Sequence, residues 1–359
     1  MSSFTIATKS LQNMIKKVCK CVSPPTNNVI TTLLNVVLDN GVLMISKTDS
    51  RNFLTITENN VTGDDCEFTI GSDSFSQIVS KITTQDVTVS KEDNCVVVKG
   101  NGTYKIEIQL DGDGCELDYP RYNVKLPTHS GTIKPSAIRN ILVYNKPTVC
   151  DVKSANIIAL TGYYCTSDSV LTSDSCRICI TDNPLFDTDV LMDATTMDLL
   201  GLFDSDFSYE MDDDCAVFTS DSIRLFTSFM NERLEEFPVQ KCELFAESSF
   251  PASCVVSKSA LTAAINRISL FIKQNDRDVI RFNFVRDGII LESPDRTAVE
   301  SINYMSVSDF KEFSCNVPKA SISKMFAARS GETVNIYYGE DAFMSVKDDD
   351  AVQITALIR

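Results

Sequence analysis

Residues 4–18, FTIATKSLQNMIKKV, decide the fold of this chain, because the pattern that they contain occurs three times. A short apolar run leads into a lysine, and apolar residues then follow at spacings of three and four, which predicts a strand that runs directly into an amphipathic helix. The same pattern occurs in TIKPSAIRNIL at residues 132–142 and in VVSKSALTAAINRI at residues 255–268. Self-similarity at a period near a third of the chain indicates tandem repeats.

A second helical pattern follows in each third of the chain, at residues 74–82, 195–203 and 319–326. Two alternating segments, typical of strands, come after each of these helices. They lie at residues 87–98 with 104–110, 207–219 with 223–230, and 334–346 with 352–358. We therefore predict three domains of one β-α-β-β-β-α-β-β type, at residues 1–127, 128–247 and 248–359, each of the usual size for a single small core.

Acidic residues are unevenly distributed along the chain. The 359 residues carry 49 Asp and Glu and a net charge of −16, yet residues 1–38, 119–150 and 248–275 contain no acid. A helix face with cations and no carboxylates can approach phosphates and bind them without reading sequence, although an ordinary solvated helix face has the same composition. The candidate DNA-binding residues in or beside the helices are Lys9, Lys16, Lys20, Arg139, Lys146, Lys258, Arg267, Lys273, Lys319, Lys324 and Arg329.

Catalytic and metal-binding patterns are not evident in the sequence. A single histidine, His129, lies in a turn-rich segment, so no histidine-based catalytic set can recur in the three domains. The 13 cysteines lack zinc spacing or a framework of pairs, which favours reduced thiols. We predict no enzymatic activity, no cofactor and no metal.

Two acidic triplets and the absence of long apolar runs are the remaining features of the sequence. Asp212-Asp213-Asp214 and Asp348-Asp349-Asp350 are expected to be solvated turns at equivalent hairpin tips of the second and third repeats. No apolar run approaches the roughly 20 residues that span a bilayer. We expect a cytoplasmic protein that does not contact membranes.

Particular segments carry a resemblance to a known family. They are residues 4–56 with the turn Thr48-Asp49-Ser50-Arg51, the segment TSDSCRICI at residues 172–180, and residues 256–293. Their order and the triple repeat resemble the bacterial DNA polymerase III beta subunit, the sliding clamp, over the length of the chain. Asp174-Ser175-Cys176-Arg177 departs from the family's Asp-Gly-His-Arg, Arg277 replaces an expected aromatic residue, and the tail at residues 354–359 lacks the family's Met-Pro-Met. Such drift suits a copy carried by a virus or other mobile element.

The resemblance implies an α+β protein made of three tandem repeats of the DNA-clamp fold. Helices would line a central pore, and antiparallel sheets would lie outside. Two copies would join head to tail in a homodimeric ring around double-stranded DNA, with a DNA polymerase and a clamp-loader ATPase as partners. A clamp-like scaffold that binds proteins without encircling DNA remains the alternative.

Two sets of site residues follow from the repeat and the resemblance. For the dimer interface, Ile106 and Ile108 on the last edge strand of the first domain are expected to meet Phe271 and Ile272 of the partner copy. A pocket for a partner peptide between the second and third domains is implied, although several of its apolar members could equally be core. The matching positions are Leu160, Ser173, Arg177, Ile178, Leu244, Phe245, Asn316, Leu357 and Ile358.

Overall fold

The three thirds of the chain share one core order of strands and helices, to which the first and third each add a short strand. A computed structural model describes residues 2–22, 28–110, 114–115, 117–182, 184–273, 278–329, 331–340 and 342–358, so Arg277 and Arg359 lie outside the described part. The first repeat contains β1 (Ser2–Ala7), α1 (Thr8–Val18), β2 (Leu33–Asp39), β3 (Val42–Thr48), β4 (Asn52–Glu58), β5 (Thr62–Gly63), β6 (Cys66–Gly71), α2 (Ser72–Lys81), β7 (Asp86–Lys91), β8 (Cys95–Lys99) and β9 (Thr103–Glu107).

The second and third repeats follow the first closely. The second contains β10 (His129–Ile133), α3 (Pro135–Asn145), β11 (Gly162–Cys165), β12 (Val170–Ser173), β13 (Arg177–Thr181), β14 (Val190–Asp193), α4 (Ala194–Leu200), β15 (Phe207–Met211), β16 (Cys215–Thr219) and β17 (Ile223–Ser228). Helix α5 (Val239–Ala246) connects it to the third. The third contains β18 (Ala252–Ser257), α6 (Lys258–Ser269), β19 (Val279–Val285), β20 (Gly288–Glu292), β21 (Val299–Asn303), β22 (Ser306–Ser308), β23 (Phe313–Pro318), α7 (Lys319–Ala328), β24 (Thr333–Tyr338), β25 (Phe343–Lys347) and β26 (Ala351–Ala356). Short 3₁₀ turns lie at Val29–Thr32, Lys146–Thr148, Ile158–Thr161 and Asn231–Glu236.

The helix predictions are confirmed, but the second repeat has two more strands than predicted, and the first and third repeats have three more. The common order is β-α-β-β-β-β-α-β-β-β, and the short strands β5 and β22 are additions in the first and third repeats. One common extra strand arises because each long alternating segment after the second helix is a hairpin of two strands, and the other lies between the two helices. Asp212–Asp214 form the turn between β15 and β16, whereas Asp348–Asp350 form the turn between β25 and β26. The expectation that the two triplets occupy equivalent tips is therefore wrong.

The helices form where the apolar period and the capping residues place them. Helix α1 buries Leu11, Met14, Ile15 and Val18, which share one face at a spacing of 3.6 residues per turn. At the start of α6, the side chain of Ser257 accepts a hydrogen bond from a first-turn amide, the usual role of an N-cap serine. Each first helix begins within two residues of the end of a strand, so the strand fixes the direction in which the helix starts.

A tight turn before the fourth strand of each repeat has the same geometry in all three repeats. One residue of each turn has a positive φ: 83° at Ser50, 73° at Ser175 and 59° at Arg296. The preceding residue is an aspartate whose carboxylate accepts hydrogen bonds from backbone amides one or two residues after the turn; these aspartates are Asp49, Asp174 and Asp295. These local bonds stabilise a left-handed residue that is not glycine.

Sheets continue from one repeat into the next. In an eight-stranded sheet of order β10-β15-β16-β17-β4-β3-β2-β6, β4 of the first repeat pairs with β17 of the second. In a nine-stranded sheet of order β14-β11-β12-β13-β26-β25-β24-β18-β22, β13 of the second repeat pairs with β26 of the third. A five-stranded sheet, β5-β1-β7-β8-β9, and a four-stranded sheet, β21-β20-β19-β23, complete the set.

These continuous sheets divide the second repeat between two compact units. One comprises Met1–Pro135 with Thr195–Phe229, and the other Ser136–Ala194 with Met230–Arg359. Within the described residues, each unit contains two of the four sheets and its own buried apolar side chains. The domain boundaries after residues 127 and 247 stay a prediction.

We expect Asp49→Ala to destabilise the first unit by about 1–3 kcal/mol, because it removes charge-assisted hydrogen bonds at a turn. Asp49 accepts from the amides of Arg51 and Asn52 at 2.9 and 2.7 Å, and from Asn52 Nδ2 at 2.9 Å. Chemical denaturation measures the loss. Asp64→Ala, at an exposed position, is the control and should change stability by less than about 0.5 kcal/mol. Equal effects of the two substitutions would contradict this role of the turn.

Candidate functional site

The strand pair β13–β26 carries the candidate site of the second unit. Ile178 lies opposite Ile354, and Cys179 lies opposite Gln353. Successive side chains of a strand point to opposite faces, so the two isoleucines share one face while Cys179 and Gln353 share the other. Cys179 and Gln353 are fully buried, whereas Ile178 and Ile354 line an open cavity on their face.

This cavity has a volume of about 330 Å³ and a mainly apolar lining. Its floor is formed by Leu160, Ile178 and Ile354, and Phe343 and Ala356 from the third repeat extend it. Pockets of this size with a few polar groups at the edge suit a short peptide or a small molecule.

Helix α5 forms one wall of the cavity. Pro238 precedes the helix, and its carbonyl accepts hydrogen bonds from the amides of Lys241 and Cys242, both at 3.1 Å. Pro238, Lys241, Cys242 and Phe245 all line the cavity. The ring of Phe245 meets Phe343 edge to face with centroids 5.1 Å apart, a favourable aromatic geometry that fixes the helix against β25.

The turn between β12 and β13 forms the polar rim. Asp174 holds Arg177 by a hydrogen bond from Nε at 2.7 Å and accepts the Cys176 amide at 3.1 Å. Ser173 Oγ donates to the Arg177 carbonyl at 2.8 Å. Because the turn is fixed in this way, Ser175 and the exposed Cys176 are placed at the edge of the cavity.

Only part of the predicted pocket lines this cavity. Leu160, Ser173, Ile178 and Phe245 do so. Five other predicted residues are absent from the described lining: Arg177, Leu244, Asn316, Leu357 and Ile358.

Each of these five residues has a physical reason for its position. The Arg177 side chain is bound to Asp174, and Leu244 is 67% exposed on the outer side of α5. Leu357 packs against the core of the third repeat. The Ile358 amide donates to the Asn316 carbonyl at 2.9 Å, which ties the tail to the end strand β23.

Sequence reasoning missed Ile354, Cys242 and Phe343, among others. Ile354 becomes a pocket residue only through its register opposite Ile178, which no local pattern reveals. Cys242 had a usable signal, because it lies three residues before the predicted Phe245 on one face of α5.

The equivalent face of the first junction is covered by the chain itself. Phe53 lies opposite Phe226 in the β4–β17 pair, as Ile178 lies opposite Ile354. Tyr122 stacks on Phe226 with centroids 5.1 Å apart, and Tyr119 packs on Phe53 at 5.7 Å. The segment after the first repeat therefore occupies the place that is open at the second junction.

Six of the predicted DNA-binding residues are exposed on helices or directly after them. They are Lys9, Lys16 and Lys20 at α1, Arg139 and Lys146 at α3, and Lys324 on α7. Exposed cations on helix faces of this kind can contact phosphates.

Four others are engaged by partners in the same chain. Arg267 Nε donates to Glu300 Oε1 at 3.1 Å, Lys273 pairs with Asp295 at 2.9 Å, and Lys319 pairs with Asp278 at 3.3 Å. The Lys258 ammonium donates to the Arg329 carbonyl. A phosphate contact by these residues would compete with these interactions.

Arg329 is a correction to the predicted set. Only 3% of it is exposed, and its guanidinium pairs with Asp348 at 2.6 Å, so it is unavailable to DNA. Burial alone would raise the pKa of Asp348, but the hydrogen bond and charge of Arg329 and two backbone amides lower it overall. The resulting stabilisation is present at neutral pH and is lost as the pH falls through this lowered pKa.

The predicted dimer residues divide into two groups. Phe271 is 49% exposed at the end of α6 and is available to a partner, whereas Ile272 packs partly against its own core. Ile106 and Ile108 are 8% and 5% exposed, because they face the interior of their own repeat. The expectation that these two isoleucines meet a second copy is therefore wrong.

The described residues offer neither a metal centre nor a membrane span. They contain no group of three or more His, Cys, Asp or Glu side chains placed to hold a metal ion. Within the same residues, no helix has the length and apolar character needed to cross a membrane.

Comparisons with known proteins agree with this architecture. Residues 2–122 match the model of the DNA polymerase III beta subunit, N-terminal domain. Comparison with curated protein sequences gives no match.

Solved structures match over the whole chain. The DNA polymerase sliding clamp from Bacillus subtilis superposes with a TM-score of 0.85 at 18% identity, covering 100% of this chain and 99% of that one. The beta subunit from Thermotoga maritima gives 0.85 at 14% identity and covers 100% of both chains. The sliding clamp from Pseudomonas aeruginosa bound to griselimycin gives 0.83 at 14% identity, covering 100% and 99%.

The fold and its junctions define a three-domain protein of the sliding-clamp fold. Residues 2–122 are similar to the N-terminal domain of the DNA polymerase III beta subunit.

We expect a maleimide at pH 7.5 to label Cys176 at least about tenfold faster than Cys242, because thiolate fraction and exposure control thiol reactivity. Both line the cavity, but Cys176 is exposed, whereas burial raises the pKa of the Cys242 thiol to about 11. Peptide mapping by mass spectrometry gives the two rates. In denaturant the two labelling rates should converge. Equal rates in the native protein would contradict the burial of Cys242 in the wall of the cavity.

Proposed function

We propose that this protein is a DNA sliding clamp, a processivity factor that encircles duplex DNA and tethers a replicative DNA polymerase. The sliding-clamp fold over the full chain and the family match of its first domain support the proposal. The observation that carries it is that, among the described strands, one in the first repeat and one in the third lack the neighbour with which their equivalents pair.

That observation concerns the junctions between repeats. β4 and β13 each pair with the last strand of the next repeat, β17 and β26 respectively. In the third repeat, the equivalent of β4 and β13 is β21, which lies at the edge of the four-stranded sheet. In the first repeat, the equivalent of β17 and β26 is β9, which lies at the edge of the five-stranded sheet. Unpaired edges are prone to pair with another chain, so a second copy would join β21 to β9 at two places and close a head-to-tail ring.

The repeat also supports a register for this contact. Phe53, Ile178 and Val299 each lie three residues after the positive-φ residue of their turns. In the final hairpin of each repeat, pairing of the second strand begins at Arg224, Val352 or Thr103. The residues two positions further along these strands are Phe226, Ile354 and Lys105. We therefore place Val299 opposite Lys105 of the partner copy, close to the exposed Phe271.

DNA would be held by topology and by weak, sequence-independent phosphate contacts. The exposed cations on α1, α3 and α7 supply candidates for those contacts. The overall charge of −16 leaves the rest of the surface repulsive to DNA, so binding elsewhere is disfavoured. The role requires no catalytic group, and it places the protein with DNA in the cytoplasm.

The cavity at the β13–β26 junction is the proposed site for partners. A short apolar peptide of the polymerase, or of a clamp-loader ATPase, would place its side chains on Leu160, Ile178 and Ile354. Lys241 at the edge would orient an acidic group of that peptide. Apolar burial with few oriented polar groups gives a small site both affinity and specificity.

Retention on closed circular DNA tests the clamp role. Once loaded, the protein should stay on nicked circles and leave linear DNA, because only a ring is held by topology. Lys16→Gln, Lys20→Gln and Lys324→Gln together should lower the slope of log affinity against log salt by about 0.9 for each phosphate that the protein no longer neutralises. A filter or gel-filtration assay at several salt concentrations measures both effects.

The matched control neutralises Lys99, Lys125 and Lys153, three exposed lysines outside the helices. Its salt slope should equal that of the unchanged protein. Equal retention on circles and linear DNA would refute encirclement and favour the protein-binding scaffold. An equal reduction of the slope in both triple variants would refute the assignment of phosphate binding to the helices.

Charge placed at the proposed interface should separate the two copies. Phe271→Asp with Val299→Asp introduces carboxylates at residues that are 49% and 58% exposed in the single chain, so the fold should survive while the dimer does not. Light scattering should report one copy where the unchanged protein gives two. Val152→Asp, at a 78% exposed loop residue, should remain dimeric. A double variant that still dimerises would exclude this interface.

A further inference from the structure

The buried arginine that sequence analysis assigned to DNA is held by four acceptors at its two terminal nitrogens, while its Nε has no partner among the described residues. Arg329 Nη1 donates to Asp348 Oδ2 at 2.6 Å and to the Ala351 carbonyl at 3.0 Å. Arg329 Nη2 donates to the Val346 carbonyl at 2.8 Å and to Gln353 Oε1 at 3.1 Å. An arginine can satisfy four acceptors in one plane, which a lysine cannot do.

These contacts join a helix of the second repeat to a hairpin of the third. The Tyr144 ring, on α3, lies 5.1 Å from the Arg329 guanidinium carbon, and Tyr144 Oη donates to Asp348 Oδ2 at 3.1 Å. Gln353 Nε2 donates to the Tyr144 carbonyl at 2.7 Å. Arg329 itself directly follows α7. The network therefore fixes α3, the end of α7 and the β25–β26 hairpin against one another.

The network and the cavity lie on opposite faces of one strand pair. Gln353 accepts from Arg329, and the next residue, Ile354, lines the cavity. Across the pair, Cys179 lies opposite Gln353 and is buried, while its neighbour Ile178 lines the cavity. Because neighbouring side chains on a strand share a backbone, fixing Gln353 also fixes the direction of Ile354.

A further backbone bond extends this control to the rim. The Ala356 amide donates to the Cys176 carbonyl at 2.8 Å, so the last residue of β26 holds the turn that carries the rim cysteine. Ala356 and Cys176 both line the cavity. A shift of β26 would therefore move the floor and the rim together.

We propose that Arg329 is a positioning residue for the partner cavity: with Asp348 and Gln353 it holds β26 in the register and orientation that present Ile354 and Ile178 to a bound peptide. The inference rests on the proposed partner role of the cavity. Arg329 does not touch the ligand, since it lies on the opposite face of the sheet from the lining residues. Removing the buried guanidinium leaves the Asp348 carboxylate, which is only 29% exposed, without its charge partner, so the hairpin that carries β26 would shift to hydrate it.

The test uses griselimycin as the probe, because the Pseudomonas aeruginosa clamp of the same fold is bound to it. Titration calorimetry gives the affinity of the full-length protein, and amide hydrogen exchange gives protection along β13 and β26. Arg329→Met and Arg329→Lys should each weaken binding about tenfold at temperatures where the protein is fully folded, and protection should fall at the Ile178, Ile354 and Ala356 amides. Protection in the β19–β20 pair should not change.

Rescue separates positioning from general stability. Arg329→Met combined with Asp348→Asn removes the uncompensated charge but keeps an acceptor for the turn amides of Asp350 and Ala351, and it should restore part of the affinity. Arg267→Met, at an exposed arginine outside the network, should have no effect on either measurement. Unchanged affinity and unchanged β26 protection in Arg329→Met, despite a lower melting temperature, would overturn the proposal.

Phe245→Ala and Leu244→Ala distinguish this proposal from the one on which it rests. Phe245 lines the cavity, while its neighbour Leu244 is exposed, so only the first should weaken griselimycin binding. Equal effects of the two, or no binding by the unchanged protein, count against the cavity as the partner site. In that case the exchange data alone decide whether Arg329 positions β26.

Discussion

Backbone pairing between neighbouring repeats is the constraint on which the rest of the structure depends. The β4–β17 and β13–β26 ladders turn separate repeats into continuous sheets, so the second repeat contributes strands to both compact units. Each ladder supplies hydrogen-bond partners to the edge strand that an isolated repeat would expose. It also places side chains from two repeats next to each other on the same face of a sheet. Functional features therefore collect at junctions, where two copies of one motif meet.

The two internal junctions differ in what covers them, although their backbones are equivalent. Tyr119 and Tyr122 pack over Phe53 and Phe226 at the first, whereas the smaller Ile178 and Ile354 at the second lie under α5 and leave a cavity. Aromatic residues supplied by the following segment fill the first site with large apolar surface. Divergence of a repeated unit has thus produced one closed junction and one open one, with an ion-pair network behind the open one.

The local patterns were reliable where the structure is local. The periods of α1, α3, α6 and α7 predicted their positions, because a single helix face buries residues only three and four apart. The strands were undercounted, because a hairpin tip such as that between β15 and β16 interrupts an alternating pattern by only a few residues. The four predicted residues that line the cavity followed from the resemblance. Ile354 could not be predicted in this way, because its place in the cavity depends on strand pairing across 176 positions, from residue 178 to residue 354.

The sequence by itself determined the threefold repeat, the helices with their cations and the resemblance to sliding clamps, since each of these lies in neighbouring residues. Tertiary structure decided which of those residues are accessible. Arg329 has the same charge as Arg139, yet one is buried against Asp348 and the other is exposed on α3. Likewise, Ile106 and Phe271 are both apolar, but only Phe271 is exposed. Burial and pairing are set by strands and helices far apart in the chain, so local composition cannot specify them.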